Sequence, residues 1–318
     1  MEIKYLTYRQ IDKTKWDDCI DRADNGLIYA YSFYLDAMAK NWDALVLGDY
    51  EAVMPLAWNK KYNIHYLYQP PFTACLGVFG RLKPRQRLQN LMAVDHNQLT
   101  AETVNAFLQA VPPKYKYWDI YFNPGNLFKL QDFALYERIN YVLNLNNSYE
   151  NLYNSYRDNI KRNIKKSEQY QLSINKNITI AGVIKLAKEQ PNNSTLTVAD
   201  FNGFEKLFEF LYSRQKATAY GAYTKEGRLI ASAAFFFSHK RAYYIMVGNH
   251  PDGKTLGASH ALINAFIKDH AGEDMLLDFE GSDIPSLAFF YSSFGAVEEK
   301  YSAVKLNKLP APLKWLKK

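Results

Sequence analysis

The sequence predicts an α/β (α+β) chain built as two tandem copies of one unit, each a mixed, mostly antiparallel sheet flanked by helices. Three observations carry this. The chain has 318 residues, against roughly 100–200 for an ordinary domain. Segments of strand and helix periodicity alternate along it in an order that occurs twice. Residue matches also fall at a nearly constant spacing. Trp118-Asp119-Ile120-Tyr121-Phe122 matches Leu277-Asp278-Phe279-Glu280-Gly281 at an offset of 159. Asp132-Phe133-Ala134 matches Ser293-Phe294-Gly295 at 161, the offset that also separates the closing strands ending at Leu145 and Leu306. Self-similarity of this kind marks a duplication.

In the first copy, residues 3–8 read as a strand. Residues 15–23 and 32–40 read as helices, the second with Ser32 as N-cap. Strands at 44–47, 51–58 and 64–68 form a meander. A Pro/Gly-rich loop, residues 69–80, follows; 81–97 are polar and carry no clear pattern. A helix at 103–111, a strand at 117–122, a short helix at 127–133 and a strand at 136–145 complete the copy. The polar run Asn144–Tyr149 sets the boundary, giving domains 1–147 and 148–318. The second copy reads as a helix at 150–169, a strand at 172–174, helices at 181–188 and 201–216, and strands at 219–223, 228–237 and 242–247. A loop at 248–256 opens a helix at 257–269. A strand at 275–279, a helix at 285–291 and a strand at 296–306 close it.

Composition narrows the function classes. Hydrophobic residues make up 48% and charged residues 22% of the chain, which excludes wholesale disorder. The net charge of +7 favours an anionic partner without naming one. Cys19 and Cys75 match no metal or redox spacing, so a reduced, cytoplasmic setting is expected. The start of the chain reads as no signal peptide, and no run approaches the ~18 apolar residues of a membrane span. His65, His96, His239, His250, His260 and His270 are scattered, so no metal site is expected.

Four segments carry candidate chemistry. The strand end Val247-Gly248 leads through Lys254, Gly257, Ala258 and Ser259 into a helix, and free N–H groups at a helix start attract anions. Gly257 and Ala258 would admit a pyrophosphate closely, with Lys254 as counter-charge. In Leu277–Ser282, strand alternation places Asp278 and Glu280 on one face, where a carboxylate could take the proton that an attacking ammonium must lose. Glu280 is the preferred base, because Asp278 recurs in the first copy as Asp119. Phe289-Phe290-Tyr291-Ser292-Ser293-Phe294-Gly295-Ala296 is the most specific run. Arg157, Lys161 and Lys165, with Arg162 and Lys166 alongside, form one basic helical stripe fit for an anionic substrate or surface.

The element order and these segments resemble the GNAT (Gcn5-related N-acetyltransferase) fold. The run ending in Tyr291-x-x-Phe294-Gly295 is similar to the family's Tyr-x-x-Phe-Gly signature. Lys254-x-x-Gly257-x-Ser259 departs at both ends from the family's (Arg/Gln)-x-x-Gly-x-(Gly/Ala) loop. A tandem pair of such units resembles the Fem-type aminoacyltransferases of bacterial peptidoglycan cross-bridges. The resemblance implies transfer of an activated acyl group, from acyl-CoA or aminoacyl-tRNA, to an amine or cell-wall precursor. It implies Tyr291 as the acid that protonates the leaving group. Leu130 stands at the corresponding place in the first copy, so chemistry is expected in the second. The rival expectation is an inactive binding module for an envelope precursor, nucleic acid or protein.

Overall fold

The structure, a computed structural model, describes residues 2–81, 99–190, 194–281, 283–310 and 314. His96, Ser282 and most of the 81–97 segment lie outside them. Two compact units emerge: Met1–Arg138 with Lys300–Lys318, and Ile139–Glu299.

Unit 1 begins with β1 (Ile3–Leu6), α1 (Lys13–Arg22) and α2 (Ser32–Met38). The meander β2 (Asn41–Leu47), β3 (Ala52–Lys61) and β4 (Ile64–Leu67) follows. After it come the short β5 (Phe79–Gly80), α3 (Ala101–Gln109) and β6 (Tyr115–Tyr121). The sheet runs β1-β2-β3-β4-β6 and then takes β13 (Val297–Asn307), whose Ala303–Asn307 stretch pairs antiparallel with β6. β4 and β6 are parallel; the other neighbours are antiparallel. Phe107, Leu108, Trp118, Ile120 and Phe122 build the core on the α3 side.

Unit 2 takes up β7 (Tyr136–Asn144) from Ile139 onward. It continues through α4 (Tyr149–Asn154), α5 (Asp158–Gln169), β8 (Ser173–Lys176), α6 (Ile180–Lys188) and α7 (Val198–Tyr212). Strands β9 (Ala217–Tyr223), β10 (Leu229–Ser238) and β11 (Arg241–Asn249) precede α8 (Pro251–Thr255) and α9 (Ala258–His270). The unit ends with β12 (Leu276–Asp278) and α10 (Pro285–Ser292). Its sheet order, β8-β9-β10-β11-β12-β7, repeats that of unit 1 with the same senses, including one parallel pair, β11 with β12. Each unit therefore closes with the terminal strand of the other sequence half.

Four local expectations are corrected. Ser32 does not cap α2; its N–H and Oγ–H both donate to Asp17 at 2.7 Å, and Tyr31 is the flanking residue. Residues 127–133 form no helix. There Asp132 accepts from Asn105 and Gln109 of α3, and Phe133 stacks on Trp118, which holds the segment extended. The long helix at 150–169 is broken at Ser155–Arg157, because the Arg157 N–H donates to the Ser293 carbonyl at 2.9 Å and Tyr156 turns into the core. The loop at 248–256 contains α8, capped by His250, whose Nδ1 accepts from the Asp252 N–H.

Candidate functional site

The site is set by where two parallel strands part. β11 pairs with β12 only at Arg241–Leu276, Ala242–Leu277 and Tyr243–Asp278, yet β11 runs on to Asn249. Its register with β10 jumps from Ala234–Met246 to Phe235–Tyr244, leaving Ile245 as an extra residue. A bulge bends and twists its strand, and this one falls at the parting point. Beyond Tyr243, alternate backbone N–H and C=O groups of β11 thus face away from β10 with no strand beside them. A donor's amide groups could bond there.

Aromatic side chains line the parting point. Phe279 stacks on Tyr291 at 4.6 Å, and Tyr244 meets Tyr291 edge-on at 6.4 Å. Tyr291 is buried, and its hydroxyl has no hydrogen-bond partner among the described residues. Burial first, then the charge of Glu280, push its pKa up. Burial, then Tyr291, raise Tyr244 in the same way. The charge of Glu280 is thus felt at the Tyr291 hydroxyl.

Asp278 is placed differently. β12 ends at Asp278, and Glu280 adopts φ 61° followed by Gly281 at 82°, so strand alternation does not reach Glu280 and the two carboxylates do not share a strand face. Asp278 is buried and takes three donors: Arg241 at 2.7 Å, Asn140 at 2.9 Å and the Glu280 N–H at 2.8 Å. Arg241 also spans both Glu299 oxygens at 2.8 Å. Burial alone would raise Glu299, but hydrogen bonding and charge from Arg241 hold it below the ordinary carboxylate range. Asp278 thus holds the backbone of Glu280 and is itself held by a buried ion network. Left-handed non-glycine residues such as Glu280 concentrate at functional sites. The sequence reading passed over Arg241, Glu299 and Asn140; a charged residue opening the apolar strand at Arg241 was the available signal.

The helix-start residues are placed as follows. Gly257 caps α9 at φ 75°, and an added Cβ would lie 2.4 Å from the Asn163 carbonyl of α5. The glycine is thus needed for close packing of α5 on α9. Gly248 similarly abuts Leu186 and Ala187 of α6. Ala258 is fully buried, and the Ser259 hydroxyl donates to Asn249 Oδ1. Val247 is partly buried on β11, and Lys254 is exposed on α8 with no ion pair among the described residues. One turn into α9, His260 meets Phe290 edge-on at 5.0 Å, and burial lowers its pKa to about 4. Its Nδ1 is buried without a partner.

On α5, Ile160 and Ile164 face the core, leaving Arg157, Arg162 and Lys165 exposed and Lys161 and Lys166 partly so. None of the five is in an ion pair among the described residues. Arg157 lies over the ring of Phe289 at 5.0 Å. Lys161 donates to the Asn154 carbonyl at 3.2 Å. No group of three His, Cys, Asp or Glu side chains suited to a metal occurs among the described residues. No helix there is long and apolar enough to cross a membrane.

In unit 1 the corresponding gap is filled by the chain itself. Leu76 donates to the Tyr121 carbonyl at 2.8 Å and accepts from the Asn123 N–H. β5 then returns to β3. Leu130 is a core residue, and among the described residues Asp119 accepts only a 3.3 Å bond from Tyr117 where Asp278 has its ion network.

No family model matches the chain, and no curated protein matches it. Solved structures do. The crystal structure of FemX superposes with TM-score 0.61 over 100% of both chains at 12% identity. The chain has a Fem-like tandem GNAT fold. A conserved protein of unknown function from Bacteroides thetaiotaomicron is 12% identical, with 96% of this chain and 100% of that one covered and a TM-score of 0.58. A tandem GNAT protein from the clavulanic acid biosynthesis pathway gives 13%, 98%, 100% and 0.52. At these identities the likeness is one of fold.

Proposed function

We propose that unit 2 is an N-acyltransferase that moves an activated acyl or aminoacyl group onto an amine. The observation that supports this is a buried Tyr291, stacked on Phe279 and within the field of Glu280, beside the parting of β11 and β12. The donor would lie along the unpaired side of Tyr244–Asn249. Lys254, Arg157 and the α5 cations Lys161, Arg162 and Lys165 would meet its phosphates or those of a tRNA. The duplication boundary at 147/148 belongs to the same reading, with the first copy degenerate.

Attack by the neutral amine on the donor carbonyl forms the C–N bond. Collapse expels the leaving group, which takes the Tyr291 hydroxyl proton. Glu280 accepts the proton shed by the new ammonium and, being the charged neighbour of Tyr291, returns it to the phenolate. No covalent enzyme intermediate is needed; positioning and proton handling suffice. A phenol suits a thiolate leaving group, and the modest net charge of +7 adds to the case for a CoA thioester as donor. A cell-wall precursor amine is the acceptor class implied by the resemblance to the Fem-type aminoacyltransferases.

The test is thiol release from acetyl-CoA and a longer acyl-CoA with an amine panel, beside consumption of aminoacyl-tRNA. Turnover of a thioester that falls in Tyr291→Phe and Glu280→Gln supports the proposal. Consumption of aminoacyl-tRNA alone moves the donor. Absence of both, with retained binding of an envelope precursor, nucleic acid or protein, leaves the binding module instead.

A further inference from the structure

The whole excess of positive charge belongs to unit 1. It holds 22 Lys and Arg against 15 Asp and Glu, whereas unit 2 holds 17 of each. Such asymmetry between the halves of a chain points to an anionic surface or polymer as partner. Within unit 1, five lysines gather at one end of the sheet. Lys60 and Lys61 close β3, where they pair with His65 and Ile64 of β4. His65 lies beside Tyr115, the first residue of β6, and Lys116 follows it. The Lys308 N–H donates to the Lys116 carbonyl at 2.8 Å. Lys40 precedes Asn41, which pairs with Trp58 of β3. All five are exposed, and none is in an ion pair among the described residues. The carboxylates nearby are spent. Asp43 is buried and accepts from the Tyr5 and Tyr115 hydroxyls, with Lys114 at 3.6 Å, and Asp36 takes Lys13 at 2.6 Å. His65 registers the field: burial first, then the charges of Lys60 and Lys114, push its pKa down. The hairpin tip is a second observation. Tyr62 and Asn63 join β3 to β4 at φ 48° and 65°, a two-residue turn that favours Asn-Gly. Tyr62 is nevertheless 80% exposed, with Lys61 over its ring at 5.4 Å. The ring neither packs nor suits the turn.

We propose that this end of unit 1 docks on an anionic lipid surface. The Tyr62 ring rests among the headgroups, and the five lysines face the lipid phosphates. Two points favour lipid over nucleic acid. The five cations are all lysines, flexible point charges suited to a diffuse plane of charge, whereas a nucleic-acid backbone is better matched by the arginine fork. The large exposed side chains here, Tyr8 and Tyr62, both carry hydroxyls, and tyrosine settles at headgroup level. The inference is independent of acyl transfer in unit 2.

The test is co-sedimentation of the full chain with phosphatidylcholine vesicles, with and without phosphatidylglycerol. Binding is expected only with phosphatidylglycerol, and should fall as salt is added. Lys60→Ala combined with Lys61→Ala should weaken it about thirtyfold, from about 1 kcal/mol per lysine at about 1.4 kcal/mol per tenfold. Lys116→Ala combined with Lys308→Ala, on other strands of the same end, should weaken it similarly. Tyr62→Trp should add emission that phosphatidylglycerol vesicles shift to the blue. Equal binding to both vesicles, undiminished binding in both lysine pairs, or an unmoved Tyr62→Trp emission overturns the proposal. So does binding that is lost only when Lys161, Arg162 and Lys165 of α5 are changed to Ala. Lysine-dependent binding of mixed transfer RNA, without vesicle binding, makes the face a nucleic-acid surface and overturns it as well.

Discussion

Replacing Arg241 by Met should destabilise unit 2 by about 3–5 kcal/mol at neutral pH, the range for breaking a buried ion pair. The side chains of Arg241, Asp278 and Glu299 are only 12%, 6% and 20% exposed. The change removes one hydrogen bond to Asp278 and two to Glu299. Charge-assisted bonds are worth about 1.5–3 kcal/mol each, which would exceed that range. Two effects cap the loss. Asn140 still donates to both carboxylates. Glu299 can also escape by protonation once the guanidinium that lowers its pKa is gone. Urea denaturation followed by circular dichroism reads the loss as a lower midpoint at unchanged slope. The pH dependence has a definite sign. The folded pKa of Glu299 is lowered, so its contribution is complete above the ordinary carboxylate range and disappears as pH falls through the folded value. The penalty of Arg241→Met should therefore shrink in acid. Combining it with Asp278→Asn and Glu299→Gln should recover much of the loss. A penalty under about 1 kcal/mol, well below that of a broken buried pair, or one indifferent to pH, refutes the network as described.

Four further outcomes are expected. Tyr291→Phe keeps the stack on Phe279, so folding should persist while turnover falls about 10²–10⁴-fold; a fall under threefold would make Tyr291 a packing residue. Glu280→Gly relieves a left-handed side chain at φ 61°, about 1–2 kcal/mol, against about 0.4–1 kcal/mol of added unfolded-chain entropy, so melting should change little while thiol release is abolished. Gly257→Ala should cost more than Gly227→Ala in urea midpoint: both have positive φ, but only Gly257 would press a Cβ against Asn163. His260 is held neutral down to about pH 4, so the unfolded chain protonates first. Stability should decline from about pH 6.5 toward 4 by up to roughly 3 kcal/mol, and His260→Leu should flatten that slope.

The fold was legible because its strands and helices announce themselves locally. The run Ala233–Phe237 could only be a buried strand, and Lys225-Glu226-Gly227 a turn. The Tyr291 signature was legible for the same reason, being contiguous. What escaped depends on distant partners. The sequence separates Asp278 from Glu280 only by the recurrence of Asp119; that Arg241 and Asn140 lock Asp278 in an ion network, while Glu280 lies beyond the strand end, is not written locally. Gly257 reads as a glycine kept for a phosphate; that the backbone of α5 packs against it as well is not visible in the sequence. Residues 127–133 have a helical pattern, but α3 competes successfully for Asp132.

The closing strands carry a consequence for how the protein is made. Tyr121 of β6 is paired with Ala303, about 180 residues later. At about 5–20 residues per second of synthesis, roughly ten to forty seconds pass between the two. Throughout that interval β6 presents an open edge to the nascent chain's surroundings, the kind of surface that chaperones shield and that recruits stray strands. A gene fragment ending near residue 147 would leave that edge permanently open. Appending residues 300–310 to such a fragment through a flexible linker should turn an aggregating product into a folded one.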